Sequence, residues 1–173
     1  MLTLVLGGAR SGKSRYAQSL CGERPVVYIA TAEAGNDPEM QDRVAKHRLS
    51  RPSAWTTVEA PLDIASAASQ ALPEHGIVLI DCVTIWVSNL MWANRMDPDD
   101  EVERRAAEAL ELLSDLGRRR DLIVVSNEVG HGIVPNDPVG RKFRDLQGFV
   151  NQRLARGADR VVLLVAGLPL TLK

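Results

Sequence analysis

Residues Gly7-Gly8-Ala9-Arg10-Ser11-Gly12-Lys13-Ser14 fit the pattern G-x-x-x-x-G-K-[S/T] at every fixed position, directly after the apolar run Leu2-Thr3-Leu4-Val5-Leu6. No other stretch limits so strongly what this chain can fold into. The glycines let the backbone curl until successive N–H groups point into one concavity, and a helix starting near Gly12 aims the positive end of its dipole at the same place. Such a cradle holds phosphates when a strand precedes it and a helix follows it. Leu2–Leu6 reads as that strand, and Arg15–Leu20 as that helix. Lys13 then reaches the outer phosphates as a point charge, and the Ser14 hydroxyl is placed to ligate the Mg²⁺ that accompanies a nucleoside triphosphate.

The 173 residues suit one domain spanning 1–173 with a sizeable single core. The 21 basic and 22 acidic side chains nearly cancel, so no global field draws in nucleic acid or an anionic membrane, and phosphate binding has to be local. The two cysteines, Cys21 and Cys82, have no metal-type spacing and read as reduced thiols. No apolar run approaches the roughly 18 residues of a membrane span, and no signal-peptide pattern precedes the first strand. The expected location is the cytoplasm.

Short runs rich in Val, Ile and Leu recur at Leu2–Leu6, Val26–Ala30, Ile77–Ile80, Leu122–Val125 and Val161–Val165, each followed by a turn signal and a helix-like stretch. Runs apolar throughout, rather than alternating, mark strands buried on both faces. Alternation of such strands with helices predicts an α/β fold with a mostly parallel, doubly wound sheet and helices on both faces; with the phosphate loop at its start, the expected type is the phosphate-loop NTPase, RecA-like fold. In this architecture ligands lie outside the carboxyl ends of the strands, so the residues just after each run carry the most information.

The connection between the second and third runs predicts a helix from Asp37 (N-cap) and Pro38 to about Leu49, with Met40, Val44 and His47 on its inward stripe. Leu62–Leu72 predicts a second helix with Leu62, Ala65, Ser69 and Leu72 on one face. Thr84–Arg95 is apolar nearly all round, which suits deep core or, as its tryptophans favour, a subunit contact. The longest helix starts at Asp97-Pro98-Asp99-Asp100 with Val102, Ala106, Ala109, Leu113 and Leu116 inward and Gly117 as terminator. Arg118-Arg119-Arg120 after it read as solvated, dipole-compensating charges. A last helix, Val139–Arg156, buries Phe143, Leu146, Val150 and Leu154.

Asp81 ends the third strand after Ile77-Val78-Leu79-Ile80, the layout of the acid that sits beside Mg²⁺ in phosphate-loop enzymes. A nucleotide or metal role follows. After the fourth strand, Ser126-Asn127-Glu128-Val129-Gly130-His131-Gly132-Ile133-Val134-Pro135 crowds two glycines, an amide and a carboxylate at a strand end, a composition that lets a ligand approach the backbone.

These features together resemble the bifunctional adenosylcobinamide kinase and adenosylcobinamide-phosphate guanylyltransferase family of cobalamin assembly. The likeness runs over almost the whole chain: the loop at 7–14, Tyr28-Ile29-Ala30-Thr31, the His47–Pro52 segment, Asn127-Glu128-Val129-Gly130 through Pro135, Phe143-Arg144-Asp145 with Gly148 and Asn151-Gln152, and Ala158-Asp159, Gly167 and Leu172-Lys173. The resemblance implies phosphorylation of the aminopropanol hydroxyl of adenosylcobinamide by ATP or GTP. It then implies transfer of GMP from GTP, carried on a histidine, to give adenosylcobinamide-GDP. Neutral imidazole is a competent phosphorus nucleophile that yields a reactive phosphoramidate, which splits one transfer into two easier steps.

His47 matches the family's guanylylated histidine; His75 reads as a solvated turn residue, and His131 falls at a variable position of the second loop. Lys46 stands before His47 where some relatives carry a second histidine. As nucleotide contacts the resemblance implies the loop residues Gly7, Gly8, Ala9, Arg10, Ser11, Gly12, Lys13 and Ser14, then Thr31, Ala32 and Glu33, the segment Arg48, Leu49, Ser50 and Arg51, and Glu59 and Asp81. Ser14 and Asp81 are the metal candidates. Guanine preference needs a carboxylate to accept from N1–H and the exocyclic amine, and Glu33, Glu59 and Asp81 all remain open for that role. The family also implies a homotrimer with sites near subunit contacts.

Two other functions compete. A plain phosphate-loop kinase would phosphorylate cobinamide without taking up GMP. A GTP-binding regulatory switch would carry the guanine-reading N-K-x-D tetrapeptide, which this chain lacks.

Overall fold

A computed structural model describes residues 1–32, 41, 45, 51–71 and 76–173 of the chain. Apart from positions 41 and 45, which are helical, the helix expected from Asp37 lies outside them, as do Glu33, His47, Arg48, Leu49, Ser50 and His75.

The apolar runs form a seven-stranded sheet in the order β3-β2-β4-β5-β1-β6-β7. In chain order the strands are β1 (Leu2–Gly7), β2 (Val26–Ala30), β3 (Thr56–Glu59), β4 (Ile77–Asp81), β5 (Asp121–Asn127), β6 (Arg160–Val165) and β7 (Leu168–Thr171). Pairing is parallel throughout except between β6 and β7. The helices are α1 (Lys13–Cys21), α2 (Ile64–Gln70), α3 (Val83–Ala93), α4 (Asp99–Gly117) and α5 (Pro138–Gly157).

Alternate side chains of the buried strands feed two cores. Leu4, Ile80, Val124 and Val161 join α2, α3, α4 and α5 on one face, while Val5, Leu79, Val125 and Val162 meet Ala17 and Cys21 of α1 on the other. Helices on both faces thus follow from strands that are apolar at every position.

Both edge strands escaped the apolar-run reading. Thr56–Glu59 is exposed apart from the half-buried Val58, and Leu168–Thr171 is exposed at every residue and contains Pro169. Edge strands bury little, and proline is tolerated there because no second neighbour needs its missing N–H. In α2 the buried residues are Ile64, Ala65 and Ala68, whereas Leu62 lies outside the helix and is exposed, so the expected face is corrected by a rotation. The helix starts after Asp63 rather than at Leu62: the Asp63 carboxylate accepts from the Ser66 N–H at 3.1 Å.

In α3 the two tryptophans differ. Trp86 is buried and its indole N–H donates to the Leu62 carbonyl at 2.7 Å, whereas Trp92 is 72% exposed. In α4 Leu110 joins Val102, Ala106 and Leu113 in the core, with Ala109 and Leu116 packed at its margin. In α5 two polar side chains, Gln147 and Asn151, are buried beside Leu146, Val150 and Leu154, while Phe143 is only half-buried.

Candidate functional site

The carboxyl ends of the parallel strands form one rim, and the sheet order lays the candidate residues along it. Glu59 ends β3, Thr31 and Ala32 follow β2, Asp81 ends β4, Asn127 ends β5 and the phosphate loop follows β1. A pocket of about 780 Å³ opens there, lined by Ala9 to Ser14 of the loop and by Ala32, Arg51, Glu59 and Asp81 from the other strands. Residues as far apart in sequence as Ala9 and Gly167 thereby share one concavity, as a doubly wound sheet dictates.

The loop is held in shape from within and from outside. Gly12 has φ 93° and Arg10 φ 55°, and the Ser11 N–H donates to the Gly8 carbonyl at 3.3 Å. At Gly7 a Cβ would stand 2.5 Å from Ser11 Oγ and 2.7 Å from the Leu164 carbonyl oxygen, so only glycine fits between the loop and β6. The β6–β7 turn braces the far side: Ala166 and Gly167 both have positive φ, as a two-residue turn of type I′ requires, and the Gly167 N–H donates to the Ser11 carbonyl at 3.0 Å.

Lys13 is buried and its ammonium donates to the Gly8 carbonyl at 2.7 Å, folded back along the loop. Burial lowers its pKa, and the neighbouring Cys82 and Asp81 oppose that shift. Ser11 Oγ is buried with no hydrogen-bond partner, a donor left for an incoming oxygen.

At the β4 end, the Tyr28 hydroxyl donates to Asp81 Oδ2 at 2.9 Å. Burial first, and the Asp81 charge second, raise the phenol's pKa well above its usual range, so it stays a donor. The Arg51 guanidinium lies 3.5 Å from the centre of the Tyr28 ring, Trp55 stacks against the same ring at 6.4 Å, and Arg51 donates to Thr57 Oγ1 at 3.3 Å. Tyr28 engages only Oδ2 of Asp81, and Asp81 and the half-buried Ser14, both lining the pocket, supply hard oxygen donors. That chemistry suits Mg²⁺, which takes one or two protein oxygens and completes its octahedron with water and phosphate. Among the described residues no group of three or more His, Cys, Asp or Glu is arranged to hold a metal by itself.

Thr31 is fully buried, behind the pocket wall. Its hydroxyl donates to the Cys82 carbonyl at 2.8 Å and accepts from the Cys82 N–H at 3.1 Å, across the cis Asp81–Cys82 peptide. Asn89 ties the Thr31 carbonyl to that of Pro61. The wall that carries Asp81 is therefore clamped from behind. Cys82 itself lines the pocket, and burial, then Asp81, push its thiol up to about 11.

Tyr28, Cys82, Ile85, Ala166 and Gly167 line the pocket without having been assigned to it from the sequence, whereas Asn127 lines it from the glycine-rich stretch expected to meet a ligand. Tyr28 could have been found as the polar side chain in an otherwise apolar strand. Of the second glycine-rich stretch only Asn127 lines the pocket; beyond it the loop is braced on itself. Glu128 accepts from the Gly130 N–H at 2.6 Å, and Arg144 donates to the Gly130 carbonyl at 2.9 Å. His131 and Ile133 are exposed.

The comparisons with known proteins agree with this geometry. The family model described as "Cobinamide kinase / cobinamide phosphate guanyltransferase" matches residues 3–172. A protein of Pseudomonas aeruginosa named bifunctional adenosylcobalamin biosynthesis protein CobP is 44% identical over 176 aligned positions, covering 100% of this chain and 98% of its own. Proteins named bifunctional adenosylcobalamin biosynthesis protein CobU are similar over 100% of both lengths, at 40% identity in Salmonella typhimurium and 41% in Escherichia coli.

Proposed function

This chain belongs to the cobinamide kinase and cobinamide phosphate guanyltransferase family, and from that premise we propose how one pocket runs both reactions of adenosylcobalamin biosynthesis. The family match over residues 3–172, joined to a phosphate loop and an acid in one pocket, carries the reading.

In the kinase step the aminopropanol oxygen of adenosylcobinamide attacks the γ-phosphorus of ATP or GTP. The bond to the bridging oxygen breaks, the nucleoside diphosphate leaves, and the hydroxyl proton passes to solvent. Lys13 swings from the Gly8 carbonyl onto the outer phosphates, and the loop N–H groups take the rest of the negative charge. Ser14 and Asp81 would hold Mg²⁺, which neutralises charge on the phosphates when bound. Tyr28 keeps the Asp81 carboxylate turned for that purpose.

In the second step the imidazole of His47 attacks the α-phosphorus of GTP, pyrophosphate leaves, and a phosphoramidate forms. A phosphate oxygen of adenosylcobinamide phosphate then attacks the same phosphorus, giving adenosylcobinamide-GDP and free imidazole. Arg48 and Arg51 are proposed to bear on the α-phosphate, since forked guanidinium donors suit phosphate oxygens. Gly7 to Ser14, Ala32, Glu33, Leu49 and Ser50 complete the proposed nucleotide contacts, while Thr31, fully buried and bonded to Cys82, is proposed to position the wall rather than to touch the nucleotide.

Strand spacing supports different roles for Asp81 and Glu59. At about 4.8 Å per strand, Asp81 stands two strands and roughly 10 Å from the phosphate-loop strand, whereas Glu59 stands four strands and roughly 19 Å away. Asp81 therefore suits the phosphates and metal, and Glu59 the guanine end. A cytoplasmic homotrimer is proposed on the family resemblance, to be read by light scattering as three copies of an 18.9 kDa chain. Among the described residues no helix is long and apolar enough to cross a membrane.

Incubation with α-labelled GTP and Mg²⁺ tests the covalent step. Label on the wild-type protein is expected to be acid-labile and base-stable, and to vanish in His47→Ala while cobinamide phosphorylation continues. Label surviving in His47→Ala would overturn the assignment.

A further inference from the structure

Asn127 is the residue that the sheet inserts between the two halves of the phosphate site. β5 lies between β4, which ends in Asp81, and β1, which leads into the phosphate loop, and Asn127 pairs in register with Gly7. Its backbone is pinned on both sides. The N–H donates to Thr84 Oγ1 at 2.7 Å, the carbonyl accepts from Asn151 Nδ2 at 2.9 Å, and the next N–H, of Glu128, donates to the Gly7 carbonyl at 3.1 Å.

Behind it stands a polar network where apolar packing is the rule. Ser126 and Gln147 are fully buried and Asn151 nearly so. The Ser126 hydroxyl donates to Asn151 Oδ1 at 2.7 Å, and Gln147 Nε2 donates to both Ser126 Oγ and Asn151 Oδ1 at 2.9 Å. Burying these groups is costly, and Gln147 Oε1 is left without a partner. Among the described residues, the bond this network makes to the pocket rim is from Asn151 to the Asn127 carbonyl. Asn127 lines the pocket, and its side-chain amide has no hydrogen-bond partner among the described residues.

A donor with no protein partner, carried on a backbone pinned from both sides and set between a phosphate loop and a strand-end carboxylate, is placed to stabilise charge developing on a transferred group. We propose that Asn127 is a catalytic residue of the phosphoryl step, its amide donating from Nδ2 to a terminal-phosphate oxygen of the bound nucleoside triphosphate. The inference rests on the kinase reading for its reaction but on this geometry for its ligand. The amide exchanges no proton: the acceptor oxygen bonds to the terminal phosphorus, the bridging P–O bond breaks, and Asn127 stabilises the charge on the non-bridging oxygens as it develops.

The test compares guanosine β,γ-imidotriphosphate with GDP by titration calorimetry on wild type, Asn127→Ala and Asn127→Asp, with circular dichroism and thermal melting to verify the fold. A hydrogen bond to a charged oxygen predicts that Asn127→Ala weakens the triphosphate analogue roughly tenfold or more, while GDP affinity stays within about twofold. Asn127→Asp, which sets a carboxylate against the phosphate, weakens the analogue further. With cobinamide as acceptor, kcat of Asn127→Ala falls roughly a hundredfold with less change in KM. Equal loss for GDP and the analogue, or no loss for either, overturns the proposal; so does unchanged kcat. If wild type itself fails to phosphorylate cobinamide, the functional reading fails, and the comparison of triphosphate with diphosphate still decides the role of Asn127.

Discussion

At the residue scale, the side chains that were legible are those whose chemistry is complete within a few neighbours. Lys13 and Ser14 sit in an eight-residue loop whose glycines set its own geometry, and Asp81 announces itself as an acid after four apolar residues. Tyr28 and Asn127 do not, because each acquires its role from a partner on another strand or helix: Asp81 for Tyr28, Thr84 and Asn151 for Asn127. Cys82 gives a residue-level check on the pocket. Its thiol is pushed up from 9.0 to about 11 by burial and by Asp81, and only the thiolate reacts. The alkylation rate of the Cys82 peptide by iodoacetamide, followed by mass spectrometry, is expected to climb about tenfold per pH unit past pH 9, approaching its plateau near 11, and to fall when GTP fills the pocket. A plateau near pH 9, or a rate indifferent to nucleotide, would contradict this environment.

At the scale of elements, periodicity located the long helices and the buried strands, and misjudged what depends on neighbours. The α2 face came out rotated because its alanines and serines give a weak apolar stripe, and packing against the sheet chose Ile64, Ala65 and Ala68. In α5 Gln147 and Asn151 interrupt the apolar face, which hid their burial. Gly117 reads from sequence as a helix terminator, but it is the last residue of α4, and its absence of a side chain serves packing. A Cβ there would stand 2.7 Å from Leu2 Cβ and 3.4 Å from Leu2 Cα, between the helix end and β1. Gly117→Ala is therefore expected to destabilise the protein by about 1–3 kcal/mol, as overpacking does, although alanine is the better helix former. Urea unfolding at neutral pH measures it; an unchanged or raised midpoint would show that Leu2 gives way freely.

At the scale of the whole molecule, function follows from the order in which strands meet. The β3-β2-β4-β5-β1 sequence of neighbours turns the strand ends into a ruler, with Glu59 far from the phosphate loop, Asp81 nearer and Asn127 adjacent. If a nucleotide lies along that ruler with its phosphates on the loop, Glu59→Gln lowers the preference for GTP over ATP by roughly tenfold, the scale of one lost charged hydrogen bond, and leaves kcat with ATP within about twofold. Competition binding of GTP and ATP reads this directly. A preference that survives Glu59→Gln would move guanine reading to another acid.

By itself the sequence determined the phosphate loop, the five buried strands, the class of fold and, through its resemblance, the family. Each of these is written in contiguous residues or in a periodic pattern, and local backbone geometry and side-chain polarity are enough to read it. Tertiary structure alone decided which distant residues meet. Strand order and register are settled by burial of both sheet faces and by the crossovers, and neither leaves a mark in chain order. Tyr28 reaches Asp81 across 53 residues, the β6–β7 turn latches onto Ser11 from the far end of the chain, and Asn127 comes to stand beside Gly7 for that reason.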